Sequence, residues 1–205
     1  MQQLTAHART FERRCADRAE EFRRLGAGQS PQALFITCSD SRVVPSLITG
    51  AGPGDLFELR TAGNIVPAYG NPHPAGETAT IEYAVRVLGV RHIVVCGHSH
   101  CGAVGALVRG DDLSGAPAVR GWLEAAAPER PHGPARDAGA VDVAGPDLAD
   151  AVQRHALVQG ERLRAYPCVR EAMEAGRLSL DVWFYEVHTG AVRSHRPDSG
   201  TFQPL

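Results

Sequence analysis

Cys38, His98 and Cys101 are the side chains best suited to chemistry. Cys38 closes an apolar run, Ala33-Leu-Phe-Ile-Thr-Cys38, and is followed at once by Ser39-Asp-Ser-Arg42. His98 and Cys101 follow a second apolar run, Arg91-His-Ile-Val-Val-Cys96, inside the loop Gly97-His-Ser-His-Cys-Gly102. Two thiolates and an imidazole suit zinc better than a hard cation such as magnesium. Three protein ligands leave the fourth position of a tetrahedral ion open, the arrangement of catalytic rather than structural sites. Gly97 and Gly102 give the loop the permissive backbone that closely spaced ligands require. Asp40 and Arg42, two and four residues beyond Cys38, could pair at the edge of such a metal and tune it. Plainer readings stand beside these. A free cysteine is among the residues most often buried as core. His-x-x-Cys alone is a weak signal, and Ser39, Asp40 and Ser41 all favour caps and turns. By the same measure Cys15 and Cys168, on helical stripes, and Cys96, inside a strand, read as core.

For the three ligands to meet, the two apolar runs must be neighbouring parallel strands with their carboxyl ends side by side. The rest of the pattern agrees. Buried strands are expected over 33–38, 55–60 and 91–96, helical spacing over 76–88, and helices around 119–127, 148–166 and 169–175. A strand over 178–187 turns at Thr189-Gly190 into 191–195, a terminal hairpin. Leu4, Ala8, Phe11, Cys15, Ala19 and Phe22 recur at steps of three and four, the stripe of one amphipathic N-terminal helix closed by Gly26 and Gly28. Residues 128–146, rich in Pro, Gly and Ala, read as a surface excursion. The fold class is therefore α/β: a mostly parallel central sheet flanked by helices, with an antiparallel C-terminal edge and an active site at the strands' carboxyl ends. Its organisation is a helical arm over 1–28 and a single α/β domain over 29–205.

Composition removes several alternatives. All 21 basic residues among the 205 are arginine, and no lysine occurs. Schiff-base, pyridoxal-phosphate and P-loop mechanisms that need a lysine are excluded. Net charge is −2 with arginines dispersed, which argues against nucleic acid as partner. No apolar run reaches the ~18–20 residues of a membrane span, and the charged N-terminus lacks a signal peptide's apolar core. Five cysteines, an odd number in a chain long enough to bury a core, point to a reducing, cytoplasmic setting.

Cys38-Ser-Asp-Ser-Arg-Val43 together with Gly97-His-Ser-His-Cys-Gly102 resembles the paired signature of the β-class carbonic anhydrases. Arg60-x-x-Gly-Asn64, Ile81-Glu-Tyr-Ala84 and Trp183-x-Tyr185 extend the likeness from about Gln29 to the terminal hairpin. The resemblance implies one zinc per chain on Cys38, His98 and Cys101, with Asp40 and Arg42 as the catalytic dyad. Gln29, Phe57, Ala62, Tyr83 and Gly102 fall at substrate-binding positions, Tyr83 being given by a partner subunit. A homo-oligomer follows, either a dimer or a dimer of dimers. Ala62 stands where the plant-like subtype often has valine. Phe35 replaces the tryptophan of the bicarbonate-inhibited subtype, so the non-allosteric, plant-like subtype is expected.

The implied reaction is reversible hydration of carbon dioxide to bicarbonate and a proton by hydroxide on zinc. Two thiolates offset zinc's charge, so activity is expected to rise above neutral pH. His100, beside the metal loop, is a candidate proton shuttle or an uninvolved surface histidine. Three rivals remain at this point: a carbon disulfide or carbonyl sulfide hydrolase on the same scaffold, a non-catalytic zinc-binding homologue, and a cysteine-nucleophile enzyme.

Overall fold

The computed structural model describes residues 1–70, 75–126 and 146–205. Two units divide the chain, Met1–Ser30 and Pro31–Leu205. In the first, the expected single helix is broken into α1 (Gln2–Arg9), α2 (Phe11–Arg14) and α3 (Ala19–Leu25), with a 3₁₀ turn at Ala16–Arg18. Two local causes act together. The Thr10 hydroxyl bonds back to the carbonyls of Ala6 and His7, competing with the helix where it breaks. No residue of these segments is buried, so no packing holds the turns in line. Leu4 is 69% exposed, while Phe11 meets Phe22 edge-on at 5.9 Å across the breaks.

The second unit is built on a six-stranded sheet in the order β2-β1-β3-β4-β5-β6. Its strands are β1 (Ala33–Cys38), β2 (Leu56–Thr61), β3 (His92–His98), β4 (Ser179–Tyr185), β5 (Val192–Arg196) and β6 (Thr201–Pro204). The first four pair in parallel, and β5 and β6 add on antiparallel. Leu34, Ile36, Ile93 and Val95 are fully buried, each worth roughly 1.5–3 kcal/mol of hydrophobic stabilisation. Strands buried on both faces read as continuous apolar runs, which is why β1 and β3 stand out in the sequence. Strand β6 does not: Thr201-Phe-Gln-Pro204 is a mostly exposed edge with no apolar run. The short helix α4 (Pro45–Thr49) was likewise absent from the sequence pattern, being less than two turns long.

Helix α5 (Gly76–Glu82) runs on into a π-helical turn at Tyr83–Val87, and the expected helix over 76–88 is thus one element with a widened end. Helices α6 (Gly102–Arg109), α7 (Pro117–Ala126), α8 (Pro146–Arg164) and α9 (Pro167–Glu174) complete the unit. The excursion expected over 128–146 falls, except for Pro146, outside the described residues. Helix α8 lies hard against the sheet. A Cβ at Gly97 of β3 would sit 2.9 Å from Val152 Cγ1, and one at Gly160 would sit 2.9 Å from Val182 Cγ2. This close approach carries the middle of α8 to the carboxyl end of the strands. No helix among the described residues is long and apolar enough to cross a membrane.

Candidate metal centre

Cys38 is the last residue of β1, His98 the last of β3, and Cys101 the residue that precedes α6. Because β1 and β3 are paired neighbours, with Thr37 beside Cys96, their ends come together across the sheet. The ligand atoms of the three residues all lie within 4.8 Å of one another, and all three side chains are buried. The Cys38 and Cys101 sulfurs are 4.0 Å apart. That is far beyond a disulfide and close to the ~3.8 Å expected of two sulfurs held ~2.3 Å from a tetrahedral zinc. The His98 Nδ1 lies 2.9 Å from the Ser99 carbonyl, which makes Nδ1 the protonated nitrogen and leaves Nε2 a bare lone pair. That Nε2 is buried without any hydrogen-bond partner. A buried acceptor left open costs roughly 1–3 kcal/mol unless something electrophilic meets it. Donor set, spacing and orphaned lone pair all fit a zinc ion.

The two thiols titrate as a pair. The Cys101 S–H bond pushes the Cys38 thiol down, helped by the Gly63 N–H, while that same bond, then burial, then the charge on Cys38 push Cys101 up. One negative charge is therefore readily held, and the second requires a cation.

Asp40 forms a two-pronged pair with Arg42. Arg42 Nε donates to Oδ1 at 2.9 Å and Nη2 to Oδ2 at 2.7 Å, while the Arg42 backbone N–H adds a third bond to Oδ1. The guanidinium holds the Asp40 carboxyl well below the usual carboxylate range. Oδ2 lies 3.9 Å from His98 Nε2, at the mouth of the cluster. Arg42 Nη2 also donates to the His100 carbonyl at 3.1 Å, tying the two ligand loops together. His100 takes the left-handed conformation, φ 58°, at that turn. The ends of β3 and β4 are laced as well: the Ser99 N–H donates to the Tyr185 carbonyl and the Val187 N–H to Ser99 Oγ.

The sequence reading assigned no role to three supporting residues. Arg60 donates to the carbonyls of Cys38, Asp40 and Val43, the last two at 2.8 and 2.7 Å, and so fixes the loop that carries the dyad. His155 Nε2 lies 2.8 Å from the Gly63 carbonyl, and Trp122 Nε1 donates to the Ala62 carbonyl at 2.9 Å. Both hold the turn Ala62–Asn64, whose Gly63 N–H faces Cys38 Sγ at 3.4 Å. Gly63 is required there: its φ is 76°, and a Cβ would meet Ala103 Cβ at 3.2 Å. Arg60 was visible only as part of a motif. His155 and Trp122 sit on the stripes of α8 and α7, where nothing marks them.

The substrate-binding positions are scattered within one chain. Ala62 lies exposed in the turn beside Cys38, and Gly102 opens α6 with nothing within 4 Å of where its Cβ would be. Phe57 lies four residues before Thr61, the partner of Cys38, hence ~13 Å down β2 from the cluster. It faces Tyr83 at 6.0 Å, and Tyr83 is 44% exposed. Gln29 is an exposed residue of the first unit. Cys96 and Cys168 are packed in apolar clusters, and burial pushes the Cys96 thiol up to about 12. Cys15, by contrast, is only partly buried, because the helix stripe meant to enclose it is broken.

Sheet and cluster together have the form of an α/β metalloenzyme with its chemistry at the strands' carboxyl ends. Residues 33–192 match the carbonic anhydrase family. A carbonic anhydrase of Pseudomonas aeruginosa is 49% identical over 176 residues, covering 85% of this chain and 78% of the relative. Carbonic anhydrase 1 of Escherichia coli O157:H7 is 42% identical over 185 residues, or 90% and 82% of the two chains. The solved β-carbonic anhydrase CcaA superposes with a TM-score of 0.88 at 36% identity, covering 100% of this chain and 99% of that one. Tetrameric β-carbonic anhydrases of Sordaria macrospora give 0.73 at 27% identity, with 94% of each chain covered. The chain belongs to the β-class carbonic anhydrases.

Proposed function

We propose that Cys38, His98 and Cys101 hold one zinc ion, and that Asp40 and Arg42 work beside it in the reversible hydration of carbon dioxide to bicarbonate. The observation that carries this reading is the bare His98 Nε2, buried between two thiols with the Asp40 carboxylate 3.9 Å away. Zinc would supply an acidified water, a property for which carbonic anhydrases are themselves the standard example. The chain's own groups do the rest. Asp40, ionised and able only to accept, would take a hydrogen bond from that water and orient it towards substrate. Arg42 keeps Asp40 charged and holds it off the cluster. Ala62 and Gly102 leave the rim small and uncharged, a berth suited to carbon dioxide.

Phe57 and Tyr83 we assign to the pocket of a second copy. Tyr83 is exposed, and Phe57 pairs with it away from its own cluster. A homodimer, or a dimer of dimers like the tetrameric relatives of known structure, would bring these residues to a neighbour's site. The plant-like, non-allosteric subtype is supported by Phe35, buried edge-on to Trp183 at 5.9 Å. A cytoplasmic setting is supported by five unpaired cysteines. The carbon disulfide or carbonyl sulfide alternative is not favoured, since relatives at 42–49% identity are carbonic anhydrases. X-ray absorption of the zinc-loaded protein tests the ligand set: two sulfurs at ~2.3 Å and one nitrogen at ~2.0 Å are expected. A shell of nitrogen and oxygen alone overturns it.

A further inference from the structure

A chain of hydrogen bonds ends on Cys38 and begins on Trp122. The indole N–H donates to the Ala62 carbonyl at 2.9 Å. That carbonyl belongs to the peptide group joining Ala62 to Gly63, and the N–H of the same group lies 3.4 Å from Cys38 Sγ. A peptide whose carbonyl accepts a hydrogen bond is polarised, and its N–H becomes the stronger donor. Several contacts hold the peptide, although Ala62 itself is exposed. Gly63 is left-handed and abuts Ala103, the Gly63 carbonyl meets His155, and Trp122 packs with Ile65 and Leu123. An aliphatic side chain could fill the Trp122 space, but only a ring N–H reaches the Ala62 carbonyl from it.

We propose that Trp122 is a positioning residue of the metal centre: through the Ala62–Gly63 peptide, its indole N–H aims and strengthens the hydrogen bond that Cys38 accepts while it holds the metal. The inference rests on the reading of Cys38 as a ligand. A thiolate so bonded is fixed in direction and gives less charge to its metal, which governs both affinity and the Lewis acidity left for chemistry.

The test uses the full chain loaded with cobalt(II), whose thiolate charge-transfer band reports directly on the ligand sulfurs, together with zinc affinity measured against a competing chelator. Trp122→Phe keeps an aromatic ring and removes the donor. Leu123→Ala disturbs the same apolar cluster and leaves the donor in place. For Trp122→Phe the band is expected to move to longer wavelength and zinc affinity to fall about 10- to 100-fold. Leu123→Ala is expected to lower the melting temperature without moving the band. An unmoved band in Trp122→Phe, or an equal shift in Leu123→Ala, overturns the proposal while Cys38 stays a ligand. A wild-type protein without any thiolate band overturns the ligand reading and this proposal with it. If Trp122→Phe does not fold, the wild-type protein loaded with ¹¹³Cd decides: the Gly63 amide proton must show coupling to cadmium through the hydrogen bond, and its absence overturns the proposal.

Discussion

Arg60 grips the carbonyl of Cys38 with two nitrogens, Nε at 3.2 Å and Nη2 at 3.0 Å, from 22 residues further along the chain. Because β1 and β2 are paired in parallel, Arg60 stands one residue short of Thr61, the partner of Cys38, and reaches over the strand end. Charge-assisted bonds to three carbonyls hold the loop from Cys38 to Val43 in the one shape that presents Asp40 to the cluster. Arg60→Lys keeps the charge but lacks the fork. Urea unfolding of this variant is expected to show a loss of about 1.5–3 kcal/mol, with turnover lowered alongside. Wild-type stability and rate would mean that the loop holds itself.

Arg42→Ala tests the dyad. Asp40 loses the partner that keeps it ionised and held off the cluster, and becomes free to turn on to the metal. Activity in stopped-flow assays is expected to fall by about 100-fold with zinc content unchanged. Normal turnover in a zinc-loaded Arg42→Ala protein would remove Arg42 from the mechanism.

His155 predicts a pH dependence of stability. Burial pushes its pKa below the ordinary 6.5, so the folded protein resists a proton that the unfolded chain accepts. The stability it contributes is complete above about 6.5 and is lost as pH falls from there towards the depressed folded value. Wild type should therefore lose more stability than His155→Gln between pH 7 and 5, read from urea midpoints. Parallel curves would show that the ring titrates alike in both states.

Gly97 lets α8 approach the sheet. Gly97→Ala puts a Cβ 2.9 Å from Val152 Cγ1 and 3.3 Å from Ala156 Cβ. Overpacking of this kind costs about 1–3 kcal/mol. A thermal melt should register it, and because α8 also carries His155 to the Gly63 carbonyl, zinc affinity should weaken too. An unchanged melt would show that α8 can shift without cost.

The cluster was legible in the sequence because its ligands sit where apolar runs break into polar loops, and β1 and β3 are adjacent. Asp40 and Arg42 were legible by nearness to Cys38. What supports them was not. Arg60, Trp122 and His155 act on backbone carbonyls, and no residue pattern marks a carbonyl as an acceptor. The N-terminal stripe misled for a different reason: periodicity records which face is apolar, and the breaks at Thr10 and around Ala16–Arg18 come from local bonding in segments that bury nothing. Strand β6 was missed because an exposed edge needs no apolar run.

Zinc titration of the metal-free protein, followed by carbon dioxide hydration in stopped flow, tests the central claim most directly. Activity should rise in proportion to added zinc, level off at about one equivalent per chain, and stay near the uncatalysed rate in Cys101→Ala. Full hydration activity without zinc, or in Cys101→Ala, would contradict it.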